Sequence, residues 1–259
     1  MDRTFMEIAM REQMSWQYGA GLALTLAVLA LLLLAIGPVG WRMGWWHYRF
    51  AFTWLMRYSA YLALGAIFVA LLYFLLGRSG GMAGGAMAAT ALIMGMILAY
   101  IPWQFNHTGS SVPRIHDITT DTENPPQFSA VLPARAAENA ATSVYEGAEL
   151  ARLQKEGYPD IAPLKVSLDA DKAFAAALDV AKSMPGWTIV AADAPDHRIE
   201  ASQSSRWFHF TDDIVIRVSA DGSGSRIDMR SLSRQGRSDF GVNAARIRSY
   251  MAELRKRIA

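Results

Sequence analysis

Residues 19–37 read GAGLALTLAVLALLLLAIG. The run carries no charge and is rich in leucine. A helix rises about 1.5 Å per residue, so roughly 20 such residues cross a hydrocarbon layer of about 30 Å. The run is longer than the apolar core of a secretory signal, and further apolar runs follow it. It therefore reads as a span that stays in the chain. Residues 58–77, YSAYLALGAIFVALLYFLLG, repeat the pattern between Arg57 and Arg78. Those arginines can reach the headgroups with long side chains. A third span follows at residues 82–103, opening on small residues and closing on LIMGMILAYIPW. Gly81, Gly84, Gly85, Ala88 and Ala89 let a neighbouring helix backbone come close. Packing within a three-helix bundle is their expected use, ahead of a dimer contact.

The link between the first two spans interleaves Trp41, Trp45, Trp46, Tyr48 and Trp54 with Arg42, His47, Arg49 and Arg57. Between two spans this mixture reads as an interfacial anchor, since tryptophan and tyrosine concentrate where a ring can be half wet. Upstream, Met6, Met10 and Met14 share one helical face, and residues 1–17 suggest a short amphipathic helix lying on the membrane.

Overall the chain has 259 residues, 52% hydrophobic and 19% charged. The charge lies mostly in the C-terminal half; residues 19–77 hold no acidic residue at all. One part is built for lipid and the other for water. A net charge of +2 gives no footprint for nucleic acid. Cysteine is absent, which removes disulfides, thiol catalysis and cysteine-ligated metals.

The water-soluble part opens on turn formers, DITTDTENPP among them, and residues 105–133 read as a linker that becomes an ordered arm. Residues 134–157 are alanine-rich and predict one helix ending at Gly157. A short strand is expected at 164–168. Asp169 is a good N-cap for a helix whose apolar face is Ala173, Phe174, Ala177, Leu178 and Ala181. Strand signals follow at 187–192, 198–204, 213–219 and 226–233, with a hairpin turn at Asp221-Gly222-Ser223-Gly224. A last helix is expected from about Phe240 to Ile258. Consecutive strands argue for an antiparallel sheet. The expected fold is therefore N-terminal transmembrane α-helices (1–104) followed by a C-terminal α+β domain (134–259), a mainly antiparallel sheet with helices on one face.

Two stretches, IHDITTDTENPPQF at 115–128 and GRSDFGVNAARI at 236–247, resemble the bacterial and plastid family known as domain of unknown function 1499. The resemblance covers roughly residues 113–258 and implies no activity. Its motif residues fall here on His116, Asp117, Thr119, Thr120, Asp121, Pro125, Pro126 and Phe128, then on Arg237, Ser238, Asp239, Gly241, Asn243 and Arg246. Asp117 or Asp121 is expected to pair with Arg237 or Arg246, and Asp239 to cap the last helix. Either the motifs pin the arm to the domain, or they line a cleft.

The sequence has no Walker loop, dinucleotide fingerprint or His-Glu-x-x-His pattern. The Gly-rich run from Arg78 to Gly85 lacks the lysine of a phosphate cradle. No cofactor and no metal site is expected, and none of the five histidines pairs with another at metal-ligand spacing. Arg226, Arg230, Arg234 and Arg237 are expected on a solvated face, with Asp228 partly neutralising Arg226 and Arg230. The spans contain no internal carboxylate or lysine, which argues against a channel or transporter.

The expected partners are membrane lipids and a membrane or envelope protein. The expected role is a non-catalytic binding or scaffolding subunit; the alternative is an enzyme or carrier acting on a lipid or small molecule at the membrane surface. An apolar patch on the uncovered sheet face would favour the first, and a pocket lined by His116, Asp117 and Asp239 the second. Three spans put the N-terminus and the C-terminal domain on opposite sides. Arg3, Arg11 and Arg78 stand against Arg42, Arg49, Arg57 and Arg114, a small lean towards a cytoplasmic domain. Family members with the domain outside the cytoplasm imply the reverse, a multi-pass protein of a bacterial inner membrane with a periplasmic domain.

Overall fold

The computed structural model describes residues 3–76 and 81–258. Gly77 and Arg78, at the end of the second apolar run, lie outside the described residues. The chain divides into two units, residues 1–107 and 108–259.

Unit 1 is helical. Helix α1 (Arg3–Arg42) is followed by a turn and by α2 (Tyr48–Phe50), which runs through a π-helical stretch (Ala51–Leu55) into α3 (Met56–Leu76). Helix α4 (Gly81–Ser111) completes the set. Among the described residues three helices are long and apolar enough to cross a membrane: Met14–Arg42, Tyr48–Leu76 and Gly81–Ser111. At 29, 29 and 31 residues each exceeds the roughly 20 that the hydrocarbon requires. The chain is a multi-pass membrane protein.

Three expectations change here. The N-terminal tail is no separate helix; it is the first part of α1, because no proline interrupts residues 3–37. The second apolar helix begins at Tyr48 rather than at the expected Tyr58, and so takes in much of the link. Residues 106–111, expected as linker, continue α4.

Small residues hold the bundle. Ala20, Ala23, Ala27 and Ala30 of α1 are fully buried, as are Ala63, Ala66 and Ala70 of α3 and Ala88 and Ala91 of α4. With no hydrophobic driving force in lipid, close backbone approach supplies the van der Waals contact. A Cβ on Gly95 would stand 2.8 Å from Ile67 Cγ1 and 3.0 Å from the Ala63 carbonyl oxygen, so α4 needs glycine there. The Ser59 hydroxyl donates to the Ala30 carbonyl at 2.9 Å, tying α3 to α1. Leu22, Leu32, Phe68, Leu75, Ile93 and Ile97 point outward, as lipid-facing residues do. Aromatic rings gather at one end of the bundle; Phe52 of the π-helical stretch stacks on Phe105 at 4.9 Å between centroids.

Unit 2 is a six-stranded antiparallel sheet with helices. Its elements are β1 (Asp117–Thr119), α5 (Leu132–Ala137), α6 (Ala148–Gly157), β2 (Leu164–Val166), α7 (Ala170–Ser183), β3 (Trp187–Asp193), β4 (Arg198–Ser204), β5 (Thr211–Asp221), β6 (Gly224–Ser233) and α8 (Val242–Ile258). The strand order is β1-β6-β5-β4-β3, and β2 pairs with β6 beyond the end of β1.

Alternation sorts the two faces. Ile199, Ala201, Ile214, Ile216, Val218, Ile227 and Met229 meet Ala173, Phe174, Ala177, Ile247, Tyr250 and Leu254 of α7 and α8 in the main core. Asp169 caps α7 by accepting the Lys172 N–H at 2.9 Å. The opposite face is covered too, by the arm that follows β1. There the apolar cluster is small: Phe128, Val131, Val215 and Leu232.

The alanine-rich segment does not form one helix. It breaks between α5 and α6, where Asn139 and Gly147 adopt positive φ of 49° and 85°. The Ser143 carbonyl accepts from the Arg230 guanidinium at 2.8 Å, and Ala141 donates its N–H to the Arg234 carbonyl at 3.2 Å. Helix propensity is worth a few tenths of a kcal/mol per residue. A buried guanidinium that needs carbonyl acceptors outweighs it.

Candidate functional site

On β6, Arg226, Asp228, Arg230 and Leu232 share the arm-facing side, and on β5 Asp213, Val215 and Arg217 do so. Charged residues on adjacent strands have to be paired or wet, and here the arm encloses them. Arg230 is fully buried. Its guanidinium donates to both carboxylate oxygens of Asp117 at 2.9 and 2.7 Å. It also donates to the carbonyls of Pro126 (3.2 Å) and Ser143 (2.8 Å). The rings of Phe128 and Tyr145 lie within 5.1 and 5.5 Å of its central carbon. Planar, forked donors suit Arg230 to this site in a way a lysine ammonium could not match.

Four more carboxylates lie between the sheet and the arm. Asp213, fully buried, accepts from Arg135 at 2.8 Å, from Arg234 at 2.7 and 2.9 Å and from the Ser202 hydroxyl at 2.8 Å. Asp228 accepts from Arg217 and Arg226, each at 3.0 Å. Glu200 takes the backbone N–H groups of Ser129 and Val131 at 2.9 and 3.0 Å, fixing the turn into α5. Asp121 reaches Arg226 at 2.8 Å and Arg217 at 3.2 Å. Its other oxygen receives the N–H groups of Glu123 and Asn124, closing the turn before Pro125 and Pro126.

A second group surrounds the start of α8. Phe240 and Gly241 lie in the left-handed region, which turns the chain into the helix. The Asp239 carboxylate accepts the N–H groups of Gly241 (2.9 Å) and Asn243 (2.7 Å), a side-chain cap. Burial is the main influence on Asp239 and raises its pKa; the two N–H bonds oppose that, and the nearby Asp212 charge adds to the rise. Asn243 donates to the His116 carbonyl at 2.9 Å and accepts from the Ser231 hydroxyl at 2.7 Å. Arg246 donates to the Asn243 side-chain oxygen, to Gln203 at 2.7 Å and to Asp212 at 2.6 Å. The His116 Nδ1 and the hydroxyls of Tyr158 and Tyr145 are buried without a hydrogen-bond partner among the described residues. Burial pushes both tyrosines up to about 12.

The motif residues therefore form two groups that meet at β1. His116, Asp239, Gly241, Asn243 and Arg246 lie at the α8 end. Asp117, Thr120, Asp121, Pro125, Pro126 and Phe128 lie with the arm. Arg237 is exposed and belongs to neither. The expected pairing of Asp117 or Asp121 with Arg237 or Arg246 is corrected: their cations are Arg230, Arg217 and Arg226, supplied by β5 and β6. The expected solvated arginine face is corrected as well, since Arg230 and Arg234 are buried under the arm. A period-two charge pattern in 213–217 and 226–230 carried the signal. An ionic face repeated on neighbouring strands calls for a cover, and the polar arm is that cover.

Two clefts border the arm. One of about 660 Å³ is lined by Thr122, Glu123, Pro125, Tyr145, Arg152 and Lys155. The other, of about 280 Å³, is lined by Pro126, Gln127, Asp196, Arg198, Val215 and Arg217. Neither is lined by His116, Asp117 or Asp239. Among the described residues no group of three or more histidine or acidic side chains is arranged to hold a metal ion.

Residues 117–254 match the family described as Protein of unknown function (DUF1499). The chain belongs to the DUF1499 family. The match runs from Asp117, the first residue of β1, to Leu254 in α8, and so spans the arm, the whole sheet and every residue of the two motif groups except His116. No curated protein matches this sequence. The DUF1499 description assigns no activity.

Proposed function

We propose that the chain is a non-catalytic binding or scaffolding subunit of a membrane-associated assembly. Its three spans hold it in a bacterial inner membrane, and unit 2 stands on the periplasmic side and engages another membrane or envelope protein. The observation that carries this reading is the use to which the charged motif residues are put. Asp117, Asp121 and Arg246 are committed to internal ion pairs, and Asp239 to the backbone of α8. Such bonds fix the shape of a surface. A reacting group would need a free face towards a substrate. Strand β3 supports the same reading: it ends the sheet, and Val190 on it is exposed. An open strand edge can accept a partner strand.

The alternative reading, an enzyme or carrier for a lipid or small molecule at the membrane surface, draws on Asp239. Its raised pKa and the unpartnered His116 and Tyr158 atoms lie at one helix start, the kind of grouping found at functional sites. Asp239→Asn separates the two. A cell lacking the gene is complemented with the variant, and the level of folded protein in the membrane is measured beside the phenotype. The scaffold reading expects full complementation by a folded variant. A folded, membrane-inserted but inactive variant would favour the alternative. Sidedness is tested with paired reporters fused after Ala259, one active only outside the cytoplasm and one only inside. Activity of the inside reporter alone would remove the periplasmic placement and redirect the search to cytoplasmic partners.

A further inference from the structure

The β4–β5 connection reads Ser205-Arg206-Trp207-Phe208-His209-Phe210. It is a tight loop: Ser205 donates its N–H to the Phe210 carbonyl at 2.8 Å, His209 to the Ser205 carbonyl at 3.1 Å, and Phe210 to the Ser205 hydroxyl at 3.0 Å. Phe208 and Phe210 stack at 5.1 Å and stiffen its base. Trp207 at the tip is 72% exposed, and Arg206 beside it is exposed as well. A rigid turn that spends its hydrogen bonds on presenting an indole to solvent has no role in the core of unit 2.

The register shows which end of the sheet carries it. Asp117, Leu232, Asp213, Ser202 and Thr188 form one row of paired residues across β1, β6, β5, β4 and β3. Beyond this row, at the same end, lie both the 205–210 loop and residues 112–116, through which the polypeptide arrives from α4. The opposite end carries the Asp221-Gly222-Ser223-Gly224 hairpin. Helix α4 is one of the three helices fit to cross a membrane, and its apolar run closes at Trp103. The short stretch 104–116 is all that separates that run from β1.

From this juxtaposition we propose that the 205–210 loop is a lipid anchor. Trp207 seats in the interfacial layer of the bilayer that α4 crosses, with Arg206 against phospholipid phosphates. An indole is suited to that layer, apolar over its rings and able to donate one hydrogen bond to the wet side. A neighbouring cation adds attraction to anionic headgroups. The proposal rests on the spans, which keep unit 2 beside a lipid surface.

The absence of cysteine makes the test clean. Arg206→Cys, with Trp207 intact, is labelled with an environment-sensitive dye in the full chain. The chain is placed in nanodiscs of phosphatidylethanolamine and phosphatidylglycerol, with and without nitroxide-bearing lipid. Ser223→Cys at the far hairpin is the control, and Arg206→Cys with Trp207→Ala removes the anchor. Co-elution of chain and lipid checks the spans separately. The expected result is blue-shifted emission and nitroxide quenching at position 206, little at 223, and loss of both effects with Trp207→Ala. Equal aqueous emission at 206 and 223 overturns the proposal. So does quenching that survives Trp207→Ala, and so does shielding seen in native membranes but not in pure lipid, which would mark a protein partner. The unfolding midpoint of Trp207→Ala should equal that of the unsubstituted chain, since the side chain it removes is exposed.

Discussion

Arg230→Met tests the central structural reasoning. Methionine keeps most of the side-chain volume and removes the charge. It leaves the Asp117 carboxylate, only 4% exposed, without its cation, and the Pro126 and Ser143 carbonyls without their donor. Removing one member of a buried ion pair costs about 3–5 kcal/mol, chiefly because the other charge stays buried. For a unit of this size that corresponds to a fall of about 6–20 °C in unfolding midpoint, at roughly 2–4 °C per kcal/mol. The comparison is Arg152→Met. Arg152 makes three hydrogen bonds to carboxylates, at 2.6–3.0 Å, against two for Arg230, but its side chain is 53% exposed. Water screens surface pairs, so this variant should barely move. The full chain in detergent is unfolded by heat and by urea, and cleavage within residues 120–143 is followed by limited proteolysis. Arg230→Met should expose the arm to protease well before the sheet unfolds. Adding Asp117→Leu should recover much of the loss, because an apolar pair no longer strands a charge. If Arg230→Met costs less than about 1 kcal/mol, or no more than Arg152→Met, the arm is not held by its buried charges and the reasoning fails.

Other outcomes follow from the same contacts. Gln154 seals the outer edge of β1, accepting the Thr119 N–H at 2.9 Å and donating to its carbonyl at 2.7 Å; Gln154→Ala should cost about 1–3 kcal/mol in urea unfolding, and Gln154→Glu should be no better, since a carboxylate cannot donate. Asp239 has a raised pKa when folded, so the folded state binds the extra proton between the unfolded value and the folded one, and stability falls as pH rises through that window. Asp239→Asn should remove this contribution, so that the gain in stability on mild acidification is smaller than in the unsubstituted chain; an identical pH profile would refute it. In the bundle, Gly95→Leu should loosen α4 from α3 and lower the detergent unfolding midpoint, whereas Gly85→Leu, whose new side chain meets nothing within 4 Å of its Cβ, should not.

The spans, the long strands and the two long helices of the α+β domain were legible because each follows from local periodicity. Ile214, Ile216 and Val218 alternate in sequence and point into one core. What was not legible depends on partners distant in the chain. Strand β1 is three residues long and carries no pattern of its own; it exists because β6 offers a free edge. Composition favoured a continuous helix over residues 134–157, and contacts with distant residues, Arg230 to the Ser143 carbonyl and Ala141 N–H to the Arg234 carbonyl, hold it broken. The candidate residues were legible as types and not as pairs. Asp117 meets a residue 113 positions away, and nothing in the second motif distinguishes Arg246, which takes Asp212, from Arg237, which is exposed.

The two motifs, so far apart in sequence, serve one three-residue strand. At its start, the Ile115 carbonyl accepts the Asp239 N–H at 3.2 Å, and the His116 carbonyl accepts from Ser233 N–H at 3.0 Å and from Asn243 at 2.9 Å. Within it, Asp117 is clamped by Arg230 on the arm side, while Ile118 is buried in the core on the helix side. At its end, Gln154 holds Thr119 from outside, and Thr120 exchanges bonds with the Met229 backbone at 2.9 Å in each direction. A three-residue strand at a sheet edge has only a few ladder bonds of its own, too few to fix its position alone. Side chains from α8, β6 and α6 supply the remainder, one on each exposed side of the strand. That accounts for a first motif without a core of its own and a second that begins a helix. Each supplies bonds the other lacks, at the place where the polypeptide passes from the last membrane-crossing helix into the sheet.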